Sequence, residues 1–149
     1  LSELLRETWA GQAILPSSLT ELHVVAHRVA GLASGSYRYL PDRHALAPGL
    51  SGNLSGSMRS AGLEQDLVHD AAFVLVWAYA HLGEETGARD FRVGALQAGV
   101  GGAVAYLSAQ ARGLGICGVG AFSDQRVAKE LGNEASRPLY LMAVGPRDR

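Results

Sequence analysis

Between Arg92 and Arg112 the chain carries no charged residue, and that gap constrains the fold more than any other feature. Within the surrounding segment, Arg89 to Phe122, the residues Val93, Leu96, Val100, Ala103, Val104, Leu107 and Ala111 recur at helical spacing. A second stripe, Ala95, Ala98, Gly99, Gly102, Ala105 and Ala109, consists of small residues. The spacing predicts one long buried helix, with bulk facing a core and a small-residue face open to close backbone approach. Each glycine inside it costs about 0.5–1 kcal/mol relative to alanine, so packing must supply what local propensity lacks. A membrane span needs about 20 predominantly apolar residues. Gln97, Ser108 and Gln110 interrupt this stretch, and no aromatic anchors mark both its ends, so the membrane reading is set aside.

The helix runs into GLGICGVGAF (113–122). GLGICG fits G-x-G-x-x-G, but the dinucleotide fingerprint needs a strand before it and a helix after it. Here a helix precedes and Ile116 to Phe122 reads as a strand, so that site is rejected. Gly113 fits a helix C-terminal glycine, and Arg112 places a cation against the helix dipole. Gly115, Gly118 and Gly120 are left over; glycines in an apolar strand mark close approach by a ligand or another backbone.

A chain of 149 residues is long enough for one domain with a real core. A net charge of −1 gives no electrostatic case for nucleic acid or an anionic membrane. The lone Cys117 cannot close an internal disulfide, and no leader sequence is evident, so a cytoplasmic setting is the expectation.

Taken in order, Ser2 to Trp9 is expected to be a short helix, with Ser2 as N-cap and Leu4, Leu5 and Trp9 inward. Glu21–Val29 and Ser36–Leu40 read as neighbouring antiparallel strands, followed by a turn and a short extended piece to Leu50. Gly49 to Gly62 reads as loop with a weak helical turn, and Gly62 to Asp70 as a short helix. Ala71–Tyr79 is a continuous apolar run, hence a buried central strand. His81 to Asp90 is a polar connection. After the glycine strand, Ser123 or Asp124 is expected to cap a helix from about Gln125 to Leu131, closed by Gly132, and Pro138–Gly145 is a second buried strand. Strands and helices do not alternate regularly, which favours α+β over a doubly wound parallel sheet.

Residue chemistry alone offers little. His23 and His27 share a strand face but lack a third ligand at metal-like spacing. Cys117 is expected to be buried and inert, since a neighbouring helix C-terminus raises a thiol pKa. The serines of GLSGNLSGSM form no G-x-S-x-G elbow. Arg89, Asp90 and Arg92 read as a solvated cap. No metal site is expected.

Four segments in order resemble the nitroreductase superfamily, and within it the SagB-type dehydrogenases that oxidise thiazolines and oxazolines in peptide natural products. GLASGSYRYLPDRHAL (31–46) resembles that branch's G-x-x-x-G-x-Y-x-Y-x-P-x-x-H-x-L segment, and RDFRVGALQAG (89–99) its R-G-Y-R-x-x-x-L-E-A-G segment. GLGICGVGAFSDQRVAKELG (113–132) and PLYLMAVG (138–145) complete the likeness. The resemblance implies a single α+β sandwich over residues 1–149, mainly antiparallel, with a buried central helix whose small-residue stripe faces a partner subunit. It implies FMN at the subunit interface, hydride transfer as the chemistry, and Gly118, Val119, Gly120 and Ala121 as the cofactor-binding backbone. Glycine there lets backbone N–H groups reach the flavin ring edge. It also implies a peptide substrate and a homodimer, or a heterodimer with a related dehydrogenase.

The departures carry information too. The family's Arg-rich phosphate-gripping segment would lie before Leu1, and Gln12 to Ser18 stands where the branch has P-S-x-G-G-L-H. Glu85 and Thr86 occupy the places of the branch's Lys-Tyr pair, and Ala103 and Val104 those of a Gln-Asn pair. FMN is accordingly expected to be held weakly or not at all, and no catalytic residue is assigned. The alternative is a flavin-free relative, acting as a partner subunit or in a non-redox step on the same peptide.

Overall fold

Strand β4 (Phe73–Tyr79) is buried at all of its positions, and the molecule is layered around it. It pairs antiparallel on one side with β1 (Thr20–Ala26) and on the other with β6 (Arg137–Pro146). Strand β2 (Gly35–Leu40) adds to β1, β3 (Ala45–Ser51) adds to β2, and β5 (Leu114–Val119) adds to β6. The sheet order is β3-β2-β1-β4-β6-β5, every pairing antiparallel. This computed structural model describes residues 1–12, 15, 19–80 and 87–147.

Alternation along the strands sends successive side chains to opposite faces and so builds two cores. Leu22, Val24, Phe73, Leu75, Trp77, Met142 and Val144 face α1 (Ser2–Gln12) and α4 (Ala88–Ala111). Val25, Val74, Val76, Leu141 and Ala143 face α2 (Ser55–Ala61), α3 (Asp66–Asp70) and α5 (Asp124–Glu130). The expected α+β sandwich with a mainly antiparallel sheet is therefore present. No helix of the described residues is long and apolar enough to cross a membrane.

Helix α4 lies the other way round from the expectation. Its small residues face this chain's own sheet: Gly94, Ala98, Gly101, Gly102, Ala105 and Ala109 are buried. A Cβ at Gly94 would meet the Tyr79 ring at 2.8 Å, at Gly101 the Trp77 Nε1 at 2.7 Å, and at Gly102 the Tyr140 Cε1 at 2.6 Å. Three aromatic rings stand on the sheet where the helix crosses, and only a helix without side chains there can pass. The bulkier stripe turns outward in compensation. Leu107 is 72% and Leu96 57% exposed, and Phe91 and Tyr106 are exposed beside them. Ala95 and Gly99, of the expected partner-facing stripe, do lie on this outer side.

Several smaller expectations also change. Ser2 sits inside the first turn of α1 rather than at its cap; the Leu5 N–H donates to Leu1 O, while the Ser2 hydroxyl bonds the His44 ring. Ser123 begins α5 as expected but its side chain makes no capping bond. Arg112 closes α4 and also reaches α1, with Nη2 3.0 Å from Glu3 and 2.9 Å from Glu7, and Gly113 adopts φ +67° just after it.

Candidate functional site

The segment singled out from the sequence, Gly118–Ala121, is the exit of the edge strand β5. Val119 is buried in the second core, so it is a packing residue whose side chain faces α5 rather than solvent. Gly120 and Ala121 are exposed, and a Cβ on Gly120 would meet no atom within 4 Å. Gly118 differs from both. A Cβ there would collide with the Tyr140 hydroxyl, so this chain's own tyrosine is sufficient reason for the glycine.

Two residues that the sequence reading passed over hold this segment. The Gly118 N–H donates to the Tyr106 hydroxyl at 2.7 Å, which ties the exit of β5 to the outer side of α4. Tyr140 stands beside this pair, and burial followed by the neighbouring Tyr106 and Cys117 pushes its phenol above the ordinary value. On the other side, Gln65 Nε2 donates to the Ala121 carbonyl at 2.9 Å and to Gly62 O at 2.7 Å. The turn that carries Gln65 is strained, with Leu63 at φ 56° and Glu64 at φ 64°. Tyr106 had a signal in the sequence, as an aromatic residue within a run of alanine and glycine. Gln65 had none.

The other candidates resolve into structure. His23 is buried and bonds Glu21 at 3.2 Å; Glu21 in turn accepts from Arg38 at 2.9 Å. The His23 bond first, and then Arg38, hold the Glu21 carboxyl below the usual range against its partial burial. His27 is buried with Nδ1 3.3 Å from Ala71 O, and burial pushes its pKa below the ordinary value. No group of three metal-binding side chains occurs among the described residues. Cys117 is exposed, contrary to expectation. The helices of the second layer cover the middle of the sheet but leave the far end of β5 open, and Cys117 lies in a groove with Leu67, Asp70 and Ala71. Glu85, Thr86 and most of Gln12–Ser18 lie outside the described residues.

A scan against known families matches residues 10–146 to the Nitroreductase family. This chain belongs to the nitroreductase family. A Methanocaldococcus jannaschii protein bearing the nitroreductase name is 33% identical over 127 residues, 84% of this chain and 64% of that protein. The chain thus spans less than two thirds of the curated relative it matches. A nitroreductase crystal structure from Anabaena variabilis superposes with TM-score 0.83 at 27% identity, covering 97% of this chain and 33% of that one. The Escherichia coli microcin synthetase McbBCD complex, solved with truncated pro-MccB17 bound, contains a chain with TM-score 0.79 at 20% identity. That match covers 99% of this chain and 63% of the other, and at this identity it is a likeness of fold.

Nitroreductase-family proteins typically bind FMN. At Gly120 no atom stands within 4 Å of where a Cβ would be, and Ala121 is exposed. The hydrogen bonds at this edge come from Tyr106 and Gln65, neither of which brings a positive charge to a phosphate.

Proposed function

We propose that the protein is a SagB-like FMN-dependent oxidoreductase that oxidises thiazolines or oxazolines in a peptide, with its site completed by a second subunit. The observation that supports this reading is the Gly118–Tyr106 hydrogen bond, which holds the strand leading to the exposed Gly120 and Ala121 against the outer side of α4. Association along Leu96, Tyr106 and Leu107 would bury a patch that is costly in water and bring a second chain to the same edge. FMN, when bound, supplies the hydride acceptor. This chain's part is to hold the ring edge through the Gly120 and Ala121 backbone, positioned by Gln65, and to exclude water with the outer side of α4. The phosphate grip would come from the partner or from chain beyond residues 1–149. The partner is a second copy or a related dehydrogenase. The fold likeness to one chain of a synthetase complex solved with truncated pro-MccB17 bound supports a peptide as substrate.

A second reading has its own observation. The Gly118 N–H is already satisfied by Tyr106, and Tyr140 fills the space beside it, so the glycine at position 118 is accounted for without a ligand. That favours a flavin-free chain serving as partner subunit or in a non-redox step. A visible absorption spectrum separates the two. The first reading expects FMN uptake, at high micromolar concentration by the chain alone and stoichiometrically with its partner, together with turnover of a thiazoline peptide. An FMN spectrum left unshifted by the protein up to millimolar FMN, alone and with a related dehydrogenase, would reject it in favour of the second.

A further inference from the structure

We propose that Ser2, His44 and Tyr39 form an acyl-transfer site, with Ser2 as nucleophile toward esters carrying a short apolar acyl chain. The Ser2 hydroxyl lies 2.7 Å from His44 Nε2, and His44 Nδ1 lies 2.7 Å from the Tyr39 hydroxyl. Nucleophile, base and orienting group are thus in one hydrogen-bonded line, the relation that activates a serine. Ser2 and His44 are both open to solvent, whereas Tyr39 is only 5% exposed. The Trp9 ring packs edge-on against Tyr39 at 6.2 Å between centroids, which fixes the inner end of the line.

Two further features belong to a site rather than to a peg between α1 and the β2–β3 hairpin. The line borders a recess of about 360 Å³ whose walls include Leu5, Val29, Leu32 and Leu46, and which is of a size to take a small ligand. His44 also holds a left-handed backbone, φ 44° and ψ 49°, which non-glycine residues rarely keep.

With the imidazole proton on Nδ1 and donated to the Tyr39 oxygen, Nε2 is free to accept. Ser2 Oγ attacks the ester carbonyl and its proton passes to His44 Nε2. The bond to the alcohol breaks and the leaving oxygen takes that proton. Water, deprotonated by the same nitrogen, then cleaves the acyl-serine to give the carboxylic acid and the original hydroxyl. No cofactor enters, so the site works or fails independently of the flavin reading.

The test uses a fluorophosphonate reagent and p-nitrophenyl butyrate on the protein without added flavin. The expected result is covalent labelling of Ser2 by mass spectrometry, abolished in Ser2→Ala and retained in Ser57→Ala. His44→Gln should slow turnover by about a hundredfold or more, the usual share of a general base. Tyr39→Phe, a positioning change, should lower kcat with KM unchanged. Labelling that misses Ser2, or wild-type hydrolysis no faster than that of Ser2→Ala with both proteins folded by circular dichroism, would overturn the proposal.

Discussion

The inner and outer sides of α4 are built from the same small alphabet and meet opposite fates. On the inner side, glycine stands at positions 94, 101 and 102, where Tyr79, Trp77 and Tyr140 occupy the space above the sheet, and Gln97 and Ser108 are buried alongside the alanines. The outer side carries Leu96, Tyr106 and Leu107 into solvent. Bulk on a helix therefore does not identify its core face when the sheet opposite supplies large rings. The inner side determines whether the chain folds, and the outer side what the folded chain meets.

The strongest way to break this contrast is Gly102→Leu. Even a Cβ there would lie 2.6 Å from Tyr140 Cε1. Overpacking typically costs about 1–3 kcal/mol, and a ring wedged under a helix belongs at or above the top of that range. Urea denaturation should show a loss of about 3 kcal/mol or no folded state. An unchanged midpoint would mean that α4 does not lie on Tyr140.

The double substitution Leu96→Asp, Leu107→Asp addresses the outer side. Fully burying a leucine is worth about 1.5–3 kcal/mol, so association should weaken by at least tenfold in sedimentation. The stability of the separated chain should move by about 0.5 kcal/mol or less, as for ordinary surface changes. Equal association by both proteins would show that this patch is not an interface.

Acid should act on the interior while leaving the outer side of α4 untouched. His27 Nε2 is buried with no hydrogen-bond partner among the described residues, and burial lowers its pKa from the usual 6.5. Arg28 and His69 add to that depression, and the Ala71 carbonyl opposes it. The fold thus prefers the neutral ring while the unfolded chain protonates. Stability is present above about pH 6.5 and falls as pH drops from there through the folded-state pKa, by at most about 1.4 kcal/mol per pH unit. Glu21, held ionised by His23 and Arg38, adds a second loss when pH falls through its own lowered pKa. Urea midpoints between pH 7 and pH 5 should decline in the wild type and flatten in His27→Gln.

Tyr106→Phe has the smallest expected effect. It removes the hydroxyl that accepts from Gly118 N–H, a loss of about 0.5–1.5 kcal/mol. Hydrogen exchange at the Gly118 amide should quicken while the β5 amides bonded to β6 stay protected. Unchanged exchange would place Tyr106 elsewhere in solution.

What the sequence disclosed follows from how local each signal was. The apolar runs of β4 and β6 identify themselves because their burial on both faces needs no knowledge of neighbours. The length of α4 and its closure at Gly113 are local for the same reason. Which side of α4 turns inward depends on Trp77 and Tyr140, residues distant in sequence whose rings decide the matter only after the sheet has formed. Cys117 was misread because its exposure depends on β5 being an edge. The candidate segment was found as a run of glycines, but the sequence could not distinguish a glycine cleared for Tyr140 from one left open at position 120.

The sheet order also leaves two free edges, and they are guarded unequally. Edge strand β3 includes Pro48, which cannot donate to an added strand. Edge strand β5, Leu114–Val119, has neither proline nor charge, and its backbone could template a neighbouring chain. The Tyr106 hydroxyl takes up the Gly118 donor of that row. One phenol on a helix thereby occupies a backbone donor that an added strand would otherwise use.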